Sequence, residues 1–131
     1  MTVIVDTNVL VRGSALDDPA QARAAATLLR GPETVCVPTS ALCEYVWVLR
    51  RAYGKRPADI AVSLRVLVAS PNVRVNWPVV EKGLEMLDAG GDFADGVIAA
   101  EGRWLGGEEF ATFDRQAAQL LPRLGVRVRE L

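Results

Sequence analysis

Short β-branched runs alternate with longer helical segments along this 131-residue chain, and that alternation restricts the fold more than any other feature. The runs at 2–5, 34–37, 73–75, 109–112 and 126–128 have the length and residue types of strands. Asp17, Asp18 and Pro19 form a helix start, and Gly31 a stop. Thr39 or Ser40 is placed to cap a helix running to about Tyr53, with Gly54 beyond it. Pro57 opens a third helix with Ile60, Leu64, Leu67 and Val68 on one face, and Pro78 opens a fourth. Asp92 is placed to cap a fifth, which Gly106 and Gly107 end, and Asp114 to start a last one. Strands that alternate with helices predict an α/β fold with a mainly parallel sheet and helices on both faces, joined by right-handed crossovers. The length predicts a single domain over 1–131.

What the chain lacks narrows its chemistry. It contains no His, which removes His acid–base catalysis, Ser-His-Asp triads and His-ligated zinc. Its two Cys, Cys36 and Cys43, form no CxxC and stand among apolar neighbours, so they read as small core residues. The reactive groups of an enzyme built on this chain are therefore carboxylates, hydroxyls or a metal held by carboxylates. The sequence pI near 5.5 does not suit a dedicated basic nucleic-acid coat. No apolar run approaches the roughly 20 residues of a membrane span. The start, MTVIVDTNVLVRG, lacks a basic leader and meets an acid after five residues, so a cytoplasmic protein is expected.

The acids follow the strands. Asp6 ends the first, Glu44 lies about one turn into the helix after the second, Asp92 and Asp95 share one face at the start of the fifth helix, and Asp114 follows the 109–112 run. In a parallel α/β sheet these positions all lie at the carboxyl edge of the strands, where ligands bind. Carboxylates crowded there repel each other unless a cation compensates them. A His-free oxygen set favours a hard divalent ion such as Mg²⁺ or Mn²⁺. Such an ion activates water and stabilises charge on a phosphoryl oxygen. Each acid also has a plainer role open to it. Asp6 fits an Asx-turn with Thr7 and Asn8, while Asp92, Asp95 and Asp114 fit helix-start positions. Glu44, within ALCEYVWVL, is either costly and paired or on a solvated face.

The segments VDTNVLVR, TSALCEYVWVL, DFADGVIAAEG and TFDR, in this order, resemble the PIN-domain nucleases, and among them the VapC-type toxins of type II toxin–antitoxin pairs. The resemblance implies a three-layer α/β/α sandwich and an acidic pocket for Mg²⁺ or Mn²⁺ that cleaves RNA endonucleolytically. By position it implies catalytic Asp6, Glu44, Asp95 and Asp114, with Asp6, Asp95 and Asp114 as metal ligands and Glu44 near the attacking water. Thr7, Asn8, Asp92 and Thr112 would support them. Gly96 stands where Ala is common in the family, which should loosen its helix by about 1 kcal/mol.

Arg12, Arg50, Arg51, Arg103 and Arg115 are the candidates for RNA contact, each also readable as a solvated Arg. None of Trp47, Trp77 and Trp104 is assigned to RNA. Residues 39–53 are apolar nearly all round, which fits either burial within the chain or cover by a second chain. The resemblance implies two such covers, a homodimer partner and a VapB-like antitoxin protein. Other carboxylate-based α/β classes fit less well. A receiver needs a late Lys and none follows Lys82; a haloacid-dehalogenase-like phosphatase wants an Asp where Asn8 stands; no phosphate-binding Gly motif occurs. The competing reading from another class is a non-catalytic PIN-like scaffold that binds RNA or protein.

Overall fold

A computed structural model of the chain describes residues 1–14 and 17–131. It divides into two compact units, 1–76 and 77–131.

The first unit contains β1 (Thr2–Ile4), α1 (Thr7–Ser14), α2 (Pro19–Leu29), β2 (Thr34–Cys36), α3 (Thr39–Arg51), α4 (Pro57–Ala69) and β3 (Val73–Arg74). Its strands are parallel in the order β1-β2-β3, with Val3 opposite Val35 and Val35 opposite Val73. Every crossover carries two helices, as parallel pairing requires. Val35, Leu42, Leu49, Ile60 and Leu64 are fully buried. Asn72 ties the sheet's rim together by donating to the carbonyls of Leu29 (3.0 Å) and Glu33 (3.1 Å).

The second unit contains α5 (Trp77–Asp88), α6 (Phe93–Trp104), β4 (Phe110–Thr112), α7 (Arg115–Leu120), a 3₁₀ turn (Leu121–Leu124) and β5 (Val128–Glu130). β4 and β5 pair in parallel, Phe110 opposite Val128. Met86, Ala117, Leu120 and Leu121 form one cluster of its core, with Phe110, Leu124 and Val128 packed against them.

Most expected elements are present, and the exceptions have local causes. The strand expected at 126–128 begins at Val128 instead. Gly125 adopts φ 81°, and the Val126 N–H turns back to the Leu121 carbonyl (3.1 Å), so that residue closes the 3₁₀ turn. Neither Thr39 nor Ser40 caps α3, because both lie inside it, after Pro38. The segment after β1 is a helix rather than a turn. Leu10 and Val11 on α1 are buried, and that burial outweighs the strand-like composition of NVLV. The apolar excess on α3 is largely internal: Leu42, Tyr45, Val46 and Leu49 are buried, and only Trp47 stands 62% exposed. Cys36 and Cys43 are half-buried rather than core residues.

Gly96 has a different role from the expected loosening. α5 and α6 cross where Gly83 faces Gly96. A Cβ on Gly96 would strike the Lys82 carbonyl oxygen and lie 2.9 Å from the Gly83 Cα. One on Gly83 would lie 2.5 Å from the Phe93 ring. Backbone cannot yield as a side-chain tip can, so Gly96→Ala should cost about 1–2 kcal/mol net, overpacking outweighing the better helix propensity. Thermal unfolding of this variant checks the claim; a melting temperature equal to or above that of the parent would refute it.

Candidate functional site

In the first unit, Asp6 stands where β1 ends, exposed to solvent. Its Oδ1 accepts a long hydrogen bond (3.4 Å) from the Val9 N–H, so the carboxylate sits at the amino end of α1 and favours that helix end electrostatically. The Thr7 hydroxyl donates to Glu44 Oε2 at 2.9 Å. One residue beyond Asp6 thus fixes the carboxylate of Glu44, and a chain separation of 37 residues is closed at the carboxyl edge of β1 and β2. Glu44 is exposed, so of its two sequence readings the solvated face applies, with Thr7 as its partner. Asn8 is exposed beside them.

In the second unit, Asp92 caps α6, its Oδ1 accepting from the Ala94 N–H at 3.1 Å. Asp114 caps α7 through the Ala117 N–H at 3.1 Å. Its own N–H donates to Thr112 Oγ1 at 2.9 Å, so Thr112 sets the loop that presents Asp114. The cap roles of Asp92 and Asp114 are therefore real. Each uses Oδ1 and leaves the second oxygen for other partners.

Asp95 is the distinctive member. It is half-buried in the first turn of α6, and its carboxyl is pushed up to about 6. Burial contributes most, followed by the negative charges of Asp92 and then Asp114. Asp92 and Asp114 are thus both close enough to Asp95 for their charges to act on it.

The arginines differ in their availability. Arg12 is committed to Asp17, with Nη1 2.9 Å from Oδ1. Arg51 lies over the Trp47 ring, 5.7 Å from its centroid. Arg50, Arg103 and Arg115 are exposed. The sequence reading missed the bond from the Tyr53 hydroxyl to Asp17 Oδ2 (2.7 Å). No local pattern announces it, because 36 residues separate the partners.

The PIN domain family matches residues 3–120. The chain belongs to the PIN-domain family. The match spans most of both units, and the family's fold class, α/β with parallel strands in three layers, is the one the strand–helix alternation and the resemblance imply. PIN domains are generally nucleases, and typically use divalent metals. No curated protein matches the chain. Among the described residues no helix is long and apolar enough to cross a membrane.

The donor set of this PIN domain suits a hard ion, since it offers carboxylates and no His. A cation placed beside the raised Asp95 carboxyl would offset the repulsion from Asp92 and Asp114. Among the described residues, no three His, Cys, Asp or Glu side chains are grouped to grip one ion together. Mg²⁺ does not demand such a grip, because it is usually held by one or two carboxylates and keeps several waters.

The shift at Asp95 makes a prediction about stability. A carboxyl raised on folding favours the folded state fully only below its ordinary value, near 3.8, and that contribution is lost as pH rises through about 6. Asp95→Asn removes the charge. The variant should therefore gain on the parent as pH rises from 4 to above 6, ending more stable at pH 8 without metal. Melting curves across that range check this, and a pH-independent difference would contradict it.

Proposed function

We propose that the protein is a metal-dependent endoribonuclease, and that it is the VapC-type toxin of a type II toxin–antitoxin pair. The observation that carries the nuclease reading is Asp95, a carboxyl raised first by its partial burial and then by Asp92 and Asp114, in a chain of the PIN family without His. Perturbed carboxylates of this kind cluster at functional sites. The toxin reading rests on the four motifs in VapC-like order. The whole chain is read as one PIN domain, cytoplasmic, with both groups of acids serving one reaction.

In this reading, which follows the family motifs, Asp6 and Asp95 would hold Mg²⁺ or Mn²⁺, directly or through water, and Asp114 would assist. The bound ion would supply an acidified water and charge compensation at the phosphate. Thr7 keeps Glu44 oriented, leaving Oε1 to accept the proton of the attacking water. Attack of the water oxygen forms the new bond to phosphorus and breaks the bond to the 3′ oxygen, which takes a proton from solvent to become a 3′-hydroxyl, and the other fragment carries a 5′-phosphate. Asp92 and Thr112 fix the helix starts that carry Asp95 and Asp114.

A VapB-like antitoxin and a second copy of the chain are the proposed protein partners. Exposed apolar side chains in the first unit support them: Trp47 on α3, and Val62 with Val66 one turn apart on α4. The non-catalytic scaffold remains the second reading, favoured by the absence of a three-ligand group among the described residues.

Cleavage of a labelled RNA separates the two. Activity should require Mg²⁺ or Mn²⁺, stop with chelator and leave 5′-phosphate ends. Asp6→Asn should abolish it, and Glu44→Gln should slow it roughly 100-fold or more, as loss of a general base does. Metal-dependent cleavage by purified Asp6→Asn protein would overturn the role given to Asp6, and chelator-insensitive RNA binding without cleavage by the parent would overturn the nuclease reading. Induced expression should arrest growth only with Asp6 intact.

A further inference from the structure

A cleft of about 450 Å³ lies between α1 and α2, at the acidic end of the first unit. Asn8 and Arg12 line it from α1, Gln21 from α2, and Val9, Ala25 and Leu28 form an apolar floor. Asn8 and Arg12 are four residues apart, hence on one helix face about 6 Å apart along the axis. The cleft therefore begins two residues after Asp6 and runs one helical turn to a guanidinium. An apolar floor with amide side chains and one cation suits a nucleotide, the base against the floor and the phosphate at the cation.

Arg12 is occupied in a particular way. Asp17 Oδ1 accepts from its Nη1 at 2.9 Å, and Tyr53 donates to the other oxygen of Asp17 at 2.7 Å. The Arg12 and Asp17 side chains remain 33% and 49% exposed, so water and solutes reach the pair. A carboxylate and a phosphodiester each offer a guanidinium two neighbouring anionic oxygens. An ion pair this exposed contributes little to stability, so one anion readily replaces another. Tyr53 gives the displaced carboxylate a partner it keeps.

We infer that the α1–α2 cleft is a phosphate subsite for single-stranded RNA, in which Arg12 binds the phosphate and Asp17 holds Arg12 in the RNA-free protein. This rests on the RNA reading above. Asp17 then acts as a built-in competitor: it lowers affinity for every RNA by a constant factor and keeps the cation in place between turnovers. Phosphate contact of this kind positions the strand without reading its sequence.

The test measures binding of a fluorescein-labelled single-stranded RNA by anisotropy, in chelator so that no cleavage occurs, across a salt series. Asp17→Asn should tighten binding about 5- to 10-fold and leave the salt slope near the parent's, because Arg12 meets the same phosphate in both complexes. Arg12→Ala should weaken binding and flatten the slope by about 0.7, the value for one phosphate contact on a single strand. In the double variant, Asp17→Asn should confer no gain. Unchanged or weaker binding by a folded Asp17→Asn protein would overturn the inference. If that variant does not fold, an Arg12→Ala protein with parental affinity and slope overturns it alone. Equal tightening for an oligoglutamate peptide would show the cleft to be a protein-docking site, which also overturns it. Cleavage of the same RNA with Mn²⁺ is scored separately. Parental cleavage without the Asp17→Asn effect removes this inference and leaves the nuclease reading. The Asp17→Asn effect without parental cleavage does the reverse.

Discussion

A carboxylate held half out of water beside two other carboxylates is unstable as an anion, and the functional account depends on that conflict at Asp95. Its position follows from ordinary structural parts. Asp92 caps α6, which places Asp95 in the first turn, and Asp114 caps α7 after a strand that ends at Thr112. The close crossing at Gly83 and Gly96 lets α5 and α6 approach backbone to backbone, next to Asp95 in sequence. Partial burial raises Asp95 most, and two acids that help their own helices raise it further. The same carboxylates do structural and electrostatic work together, and so a helix-cap role and a functional role are not alternatives at Asp92 and Asp114.

The first unit handles its acids differently. Asp6 and Glu44 are exposed, and neither needs a cation for the fold to persist. Geometry is their contribution. Thr7 ties Glu44 to the start of α1, Ser14 and Tyr45 share a 2.6 Å hydrogen bond further along, and Asp17 links Arg12 to Tyr53 beyond the end of α3. Three polar ties between α1 or its following loop and α3 or its end hold the residues that carry Asp6 and Glu44 in a defined relation. Hydrogen bonds of this kind are modest singly, on the order of 1 kcal/mol each, and matter here for direction more than for strength.

Much of this was legible in the sequence because it rests on short-range rules. Asp18, Asp92 and Asp114 cap the helices their positions announce, since a cap depends on residues two or three away. The buried face Ile60 and Leu64 follows from helical periodicity. What was not legible depends on partners distant in the chain. α1 stands where Thr7 and Asn8 suggest a turn, because Leu10 and Val11 are buried. Gly96 looks like a weak helix residue until Gly83 is seen opposite. Glu44 looks buried among apolar neighbours, yet it points to solvent and Thr7, because a helix turns 100° per residue and one exposed position fits within an otherwise buried stretch. The Arg12–Asp17–Tyr53 link leaves no trace in spacing at all.

The most direct measurement is the titration of the Asp95 side-chain carboxyl by carbon NMR, with and without Mg²⁺. The account predicts a midpoint near 6 in metal-free protein, displaced well downward when Mg²⁺ saturates the site, because a bound cation reverses the repulsion that raises it. A midpoint that does not move with Mg²⁺, whatever its value, would contradict the claim that these carboxylates exist to hold a divalent ion.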